Sequence, residues 1–157
     1  MIRYPRGIGE GTDWRNAEST PLPIGKGERL ADGEDVAVLA LGPVANRALE
    51  AAERLRKETG KSPAVFNVRF LKPFDQEILK EAAGYRCILT LEDGAIKGGL
   101  FSEVSEYVAS TGARIPVIGV GIPDRFITQA PVGRQREQCG LTTEIIYSKI
   151  VSLIKNN

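Results

Sequence analysis

Arginine is the side chain best placed here to handle a small anionic substrate, and Arg3 and Arg6 stand in a context that would hold them. In the run Arg3-Tyr4-Pro5-Arg6-Gly7, the Pro5 ring fixes its own φ and pushes Tyr4 toward extended backbone. A guanidinium held this way offers a permanent charge and a fork of donors that fits a phosphate. The plain alternative is a solvated basic terminus. Glu92 and Asp93 are the other candidates. They are adjacent, so their carboxyls diverge, whereas paired-carboxylate chemistry needs two that converge on one bond. Gly7, Gly9 and Gly11 are spaced by two and precede any strand pattern. Asp93-Gly94 followed by Gly98-Gly99 makes neither the dinucleotide fingerprint nor a Walker loop. These residues therefore give no support for nucleotide binding.

What is missing narrows the chemistry further. The 157 residues include no histidine. That removes the commonest general base, nucleophile activator and metal ligand, and with it Ser-His-Asp and Cys-His catalysis. Cys87 and Cys139 match no metal-site spacing and read as reduced thiols of a cytoplasmic protein. The 21 Lys and Arg nearly balance the 20 Asp and Glu, which argues against a nucleic-acid partner. No apolar run approaches the roughly 20 residues that would span a bilayer. The polar, proline-broken start does not read as a signal peptide.

The elements that must position these groups follow from periodicity. Residues 1–25, rich in Gly and Pro, form an irregular segment, and 26–157 form one domain. A short strand is expected near residues 26–31. The Asp32-Gly33 turn signal suggests that it pairs antiparallel with the next strand, at an edge. Val36 to Leu41 is a continuous apolar run, typical of a strand buried on both faces. A helix is expected over 44–59, with Ala45, Leu49, Ala52 and Leu55 inward, Glu53 and Lys57 paired outside, and Gly60 as its stop. Strand and helix then alternate: strands at 64–68, 87–91 and 116–120, helices after Asp75, from Leu100 to about Gly112, and over 143–154. This alternation predicts an α/β fold with parallel strands and helices on both faces. Ligands of such sheets sit beyond the carboxyl ends of the strands. Here those positions are Gly42-Pro43, Arg69 to Pro73, Glu92 to Gly94 and Gly121 to Asp124. Each is also what an ordinary strand-to-helix turn requires.

Taken in order, five segments point to one family. They are Ile2 to Gly7, Pro23 to Glu28, Asn67 to Asp75, Thr90 to Gly94 with Gly98-Gly99, and Gly121 to Ile127. In this register the whole chain resembles the C-terminal third of 1-deoxy-D-xylulose-5-phosphate synthases, within the transketolase-like, thiamine-diphosphate-dependent enzymes. The resemblance implies a three-layer, five-stranded mixed sheet of the transketolase C-terminal type: four parallel strands, one antiparallel edge strand, and helices on both faces.

It also implies a role. The whole enzyme condenses pyruvate with glyceraldehyde 3-phosphate, releasing carbon dioxide and forming 1-deoxy-D-xylulose 5-phosphate, a precursor of isoprenoids and thiamine. Thiamine diphosphate, its magnesium ion and the catalytic groups belong to two preceding domains. This chain is then expected to bind no cofactor or metal, to be inactive alone, and to support a cytoplasmic homodimer. By the resemblance, Arg6 binds the substrate phosphate, and no catalytic residue is expected in the chain. A remote phosphate clamp uses binding energy away from the reacting carbon to place the aldehyde. The chain departs from the family at Thr128-Gln129-Ala130-Pro131, where His-Gly or Gln-Gly is more usual. The alternatives are the matching domain of a transketolase or of a 2-oxoacid dehydrogenase β chain, and a free-standing ligand-binding or regulatory module.

Overall fold

The computed structural model describes residue 16 and residues 20–155. Arg3 and Arg6 lie outside the described residues. In chain order the elements are β1 (Glu28–Ala31), β2 (Val36–Leu41), α1 (Val44–Thr59), β3 (Ala64–Asn67), α2 (Gln76–Ala82), β4 (Cys87–Ala95), α3 (Leu100–Thr111), β5 (Val117–Ile122), α4 (Val132–Gln138) and α5 (Thr143–Lys155). They build a five-stranded sheet in the order β1-β3-β2-β4-β5. Strands β3, β2, β4 and β5 run parallel, and β1 is antiparallel at one edge.

The apolar run of β2 lies near the middle of the sheet because both of its faces are covered. Val36 to Ala40 have no exposed surface. Val36, Val38 and Ala40 point to one cluster with α1 and α5. Ala37 and Leu39 point to the other, with α2 and α3. Burying each Val or Leu stabilises by about 1.5–3 kcal/mol relative to exposure, so this strand anchors both layers. On α1 the inward stripe is mostly alanine: Ala45, Ala48, Ala51 and Ala52 with Val44 and Leu55. Small side chains let that helix lie close to the sheet. Leu49, expected inward, is only half-buried. The ion pair along the outer face joins Arg54 to Glu58 at 2.8 Å, one position beyond the expected Glu53 and Lys57. Gly60 ends the helix in the left-handed region, its N–H donating to Arg56.

Two expectations are corrected. The edge strand β1 is antiparallel, but it pairs with β3, Glu28 opposite Asn67, and not with β2. Both sides of β2 are taken by parallel neighbours. The Asp32-Gly33 connection instead passes against the loop before β3. Glu34 N–H donates to the Ser62 carbonyl at 2.9 Å, and a Cβ on Gly33 would lie 2.0 Å from the Pro63 carbonyl carbon. The chain therefore crosses the bottom of the sheet instead of folding back as a hairpin. The second correction is α4, which the sequence pattern does not predict. None of its residues is buried, so it has no apolar stripe to read.

Asp75 fastens the start of the domain to α2. Its carboxylate accepts N–H donors from Glu77 and from Gly27, each at 3.1 Å, with Lys26 Nζ at 3.4 Å. Burial pushes this carboxyl up, but the two N–H donors and the Lys26 charge more than offset it, so its pKa is lowered. Asp75→Ala should cost about 2 kcal/mol at pH 7, the worth of a helix cap plus a second donor. A lowered carboxylate pKa contributes stability that is complete above the ordinary value near 4 and is lost as pH falls through the folded value. Denaturant melts of the two proteins should therefore converge below about pH 4. A gap that stays constant down to pH 2 would show that the Asp75 charge contributes nothing.

Candidate functional site

The carboxyl ends of the strands open on a cleft of 760 Å³. It unites three of the four expected loops, since Gly42, Pro43, Arg69, Leu71 and the Glu92–Gly99 loop all line it. The fourth loop joins through Asp124, whose Oδ2 meets Lys97 Nζ at 2.8 Å. The positions singled out from periodicity thus share one end of the sheet.

Glu92 is the best-held side chain there, and its role was missed in the sequence. It is only 4% exposed. Its carboxylate turns away from solvent and accepts the N–H of Leu100 at 3.1 Å and of Phe101 at 3.2 Å. These are first-turn donors of α3, which have no partner inside the helix. A negative charge also suits that helix end. Gly99 makes this possible, because a Cβ there would sit 2.0 Å from Glu92 Oε2 and 2.5 Å from the Ala95 carbonyl. The sequence signal was the Gly98-Gly99 pair followed by an apolar helix. Asp93 points outward instead, its nearest cation Arg136 at 4.0 Å. The two carboxyls therefore diverge, as their adjacency suggested.

Arg69, two residues beyond the end of β3, has φ of 59°, a conformation that few non-glycine residues adopt. Its guanidinium reaches Glu28 Oε2 at 2.5 Å, and Asn67 donates to the other Glu28 oxygen at 3.1 Å. The β1 edge strand thereby fixes an arginine on the cleft wall. Neither thiol is an activated nucleophile. Burial pushes the pKa of Cys87 up, and it does the same for Cys139, while reactive thiols need theirs lowered. Among the described residues no group of three or more His, Cys, Asp or Glu could hold a metal. With Glu92 committed to α3, and Arg69 and Lys97 each paired, the cleft is built as a wall with placed charges. Asp93, exposed, is the other carboxylate that lines it.

Comparison with known proteins fits this geometry. The family described as "Transketolase, C-terminal domain" matches residues 25–146. The 1-deoxy-D-xylulose-5-phosphate synthase of Parabacteroides distasonis is 43% identical over 151 residues, covering 96% of this chain and 24% of that one. The synthase of Chlorobaculum tepidum is 41% identical over 157 residues, again 24% of its length. This chain thus spans about a quarter of the relatives it matches. Among solved structures, a split gene transketolase, an inactive beta4 tetramer, superposes with a TM-score of 0.76 at 34% identity, covering 86% of this chain and 44% of that one. The chain belongs to the transketolase C-terminal domain family, and it matches the C-terminal domain of the 1-deoxy-D-xylulose-5-phosphate synthases.

Proposed function

We propose that this chain works as the C-terminal domain of a thiamine-diphosphate-dependent 1-deoxy-D-xylulose-5-phosphate synthase, joining pyruvate to glyceraldehyde 3-phosphate with release of carbon dioxide. The observation that carries the reading is identity of 41–43% extending over 96–99% of the chain with synthases of that activity. Residues 1–25 serve as the inter-domain segment and 26–157 as the folded domain. Arg6, on that segment, holds the phosphate of glyceraldehyde 3-phosphate. The preceding domains supply the thiamine diphosphate and magnesium sites, and the assembled enzyme is a cytoplasmic homodimer. No chemical step is assigned to the described residues of this chain. Their contribution is positional, through the sheet's carboxyl end braced by Glu92 and Arg69. A transketolase reading has weaker support, since that solved relative is 34% identical.

The reading is tested by activity in two settings. The chain alone, given thiamine diphosphate, magnesium and both substrates, should form no product. A chimera in which it replaces the matching segment of the Parabacteroides distasonis synthase should form 1-deoxy-D-xylulose 5-phosphate. Turnover by the chain alone would overturn its dependence on other domains. A folded chimera that makes no product would overturn the assignment to this enzyme.

A further inference from the structure

Helices α1 and α5 lie side by side on one face of the sheet and run in the same direction. Thr143, at the start of α5, donates to Glu50 of α1, and one turn later Tyr147 donates to Glu58, further along α1. Both helices end away from the strand-end cleft. Helix α1 runs back from the carboxyl end of β2 to the loop before β3. Arg86, the residue before β4, donates to the Leu153 carbonyl in the last turns of α5 at 2.9 Å. Between these helix ends lies a groove of 330 Å³. Leu55, Val151 and Ile154 form its apolar surface. The Tyr147 ring bounds it on the side nearer the helix starts, held by the Arg54 guanidinium 4.2 Å from the ring centroid and by the bond to Glu58.

Most polar side chains of the lining are already used within the chain. Thr59 Oγ1 donates to the Leu55 carbonyl at 2.8 Å and accepts the Lys61 N–H at 3.2 Å. Gly60, with φ of 75°, turns the chain so that Lys61 comes back beside α1. The Tyr147 hydroxyl is taken by Glu58, whose carboxylate also takes Arg54 at 2.8 Å. That leaves the ammonium groups of Lys61 and Lys155, both exposed. Neither pairs with a carboxylate among the described residues. A cation near a helix C-terminus complements the helix dipole. Helix α1 already carries Arg56 and Lys57 in its last turn for that purpose, so Lys61 is surplus to it.

We propose that this groove binds a small amphiphilic anion, its head group held by Lys61 and Lys155 and its apolar body laid over Leu55, Val151 and Ile154. The site is independent of the reading of the chain as a synthase domain. Size, walls and charge together select this occupant. A volume of 330 Å³ falls at the lower end of small-molecule pockets, about 300–1,000 Å³. A single helical turn about 10 Å across and 5.4 Å high already fills about 400 Å³, so the groove does not hold a partner helix. The apolar walls argue against a bare inorganic anion, which would leave them in water. With Glu58 engaged, the two ammonium groups attract a negative head and repel a positive one. Exposed ion pairs contribute little each. The apolar body therefore supplies most of the affinity, and the lysines supply the selection for charge.

Titrating the 157-residue chain with octanoate, followed by amide shifts in NMR spectra, tests this. The shifts should saturate and centre on residues 55–61 and 147–155. Octylammonium, of the same length, should bind about tenfold more weakly, a difference of about 1.4 kcal/mol. That gap should narrow as salt rises. Inorganic phosphate alone should give no saturable shift at Val151 or Ile154. Lys61→Gln combined with Lys155→Gln should remove the preference for octanoate over octylammonium. Both positions are exposed, so the fold is kept. Val151→Phe, which fills the groove, should weaken octanoate and uncharged octanol alike. Equal affinities for octanoate and octylammonium in the unsubstituted chain would overturn the proposal, as would octanoate shifts centred on the strand-end cleft. Shifts of the same amides that follow protein concentration without ligand assign the groove to a second copy. Shifts seen with vesicles of anionic phospholipid but not with octanoate assign it to a membrane surface. Either result also overturns the proposal.

Discussion

Glu92→Ala should lower the melting temperature of the domain by roughly 10 °C. The substitution removes a carboxylate that accepts the Leu100 and Phe101 N–H groups at 3.1 and 3.2 Å. Both donors then face a site that is 96% shielded when Glu92 fills it, given its 4% exposure. Hydrogen bonds to a charged group are each worth about 1.5–3 kcal/mol, and an orphaned buried donor costs about 1–3 kcal/mol. Taken together, and allowing for partial access by water, the loss is about 3 kcal/mol. For a domain of this size each kcal/mol shifts the midpoint by about 3–4 °C. Glu92→Gln keeps the shape but only one accepting oxygen, and should lose about half as much. Gly99→Ala should be comparably harmful from the other side, because its Cβ would collide with Glu92 Oε2 at 2.0 Å. The double variant should then be less destabilised than the sum of the two. Part of the Gly99 penalty must persist, since the Ala95 carbonyl lies 2.5 Å from the same Cβ. Strict additivity in thermal melts would show that Glu92 and Gly99 do not share one constraint.

The same region shows where sequence reading succeeds and where it stops. The sheet was legible because β2, α1 and the alternation that follows are burial patterns, and burial is written in residue type. Leu39 and Phe66 are apolar because both faces of the sheet are covered. The partner of β1 was not legible. Its Asp32-Gly33 turn signal is local, whereas both sides of β2 are taken by parallel strands, β3 and β4, that come later in the chain. The role of Glu92 was hidden for a similar reason. A carboxylate beside another carboxylate reads as surface charge, and only the approach of α3, beginning eight residues later, converts one of them into a buried cap. Helix α4 left no pattern because nothing in this domain buries it.

Arg6→Ala in the active chimera should raise KM for glyceraldehyde 3-phosphate by about 10- to 100-fold, with a smaller fall in kcat and an unchanged KM for pyruvate. Arg6 lies outside the described residues, and the role proposed for it rests on the resemblance to the synthases, so the magnitude follows from chemistry. A bidentate guanidinium–phosphate pair loses two charge-assisted hydrogen bonds on truncation, and about 1.4–2.8 kcal/mol corresponds to 10- to 100-fold in affinity. The split between KM and kcat follows from distance. A clamp on the far end of the substrate binds ground state and transition state nearly alike, which appears mainly in KM. Some kcat is still lost because the clamp also orients the aldehyde. Arg6→Lys should recover the charge but not the fork, restoring only part of the KM. Pyruvate carries no phosphate, so its KM is the internal control. If both KM values rise together, Arg6 acts by holding the inter-domain segment in place. If neither moves, the phosphate is bound elsewhere, and Arg6 takes no part in holding the substrate.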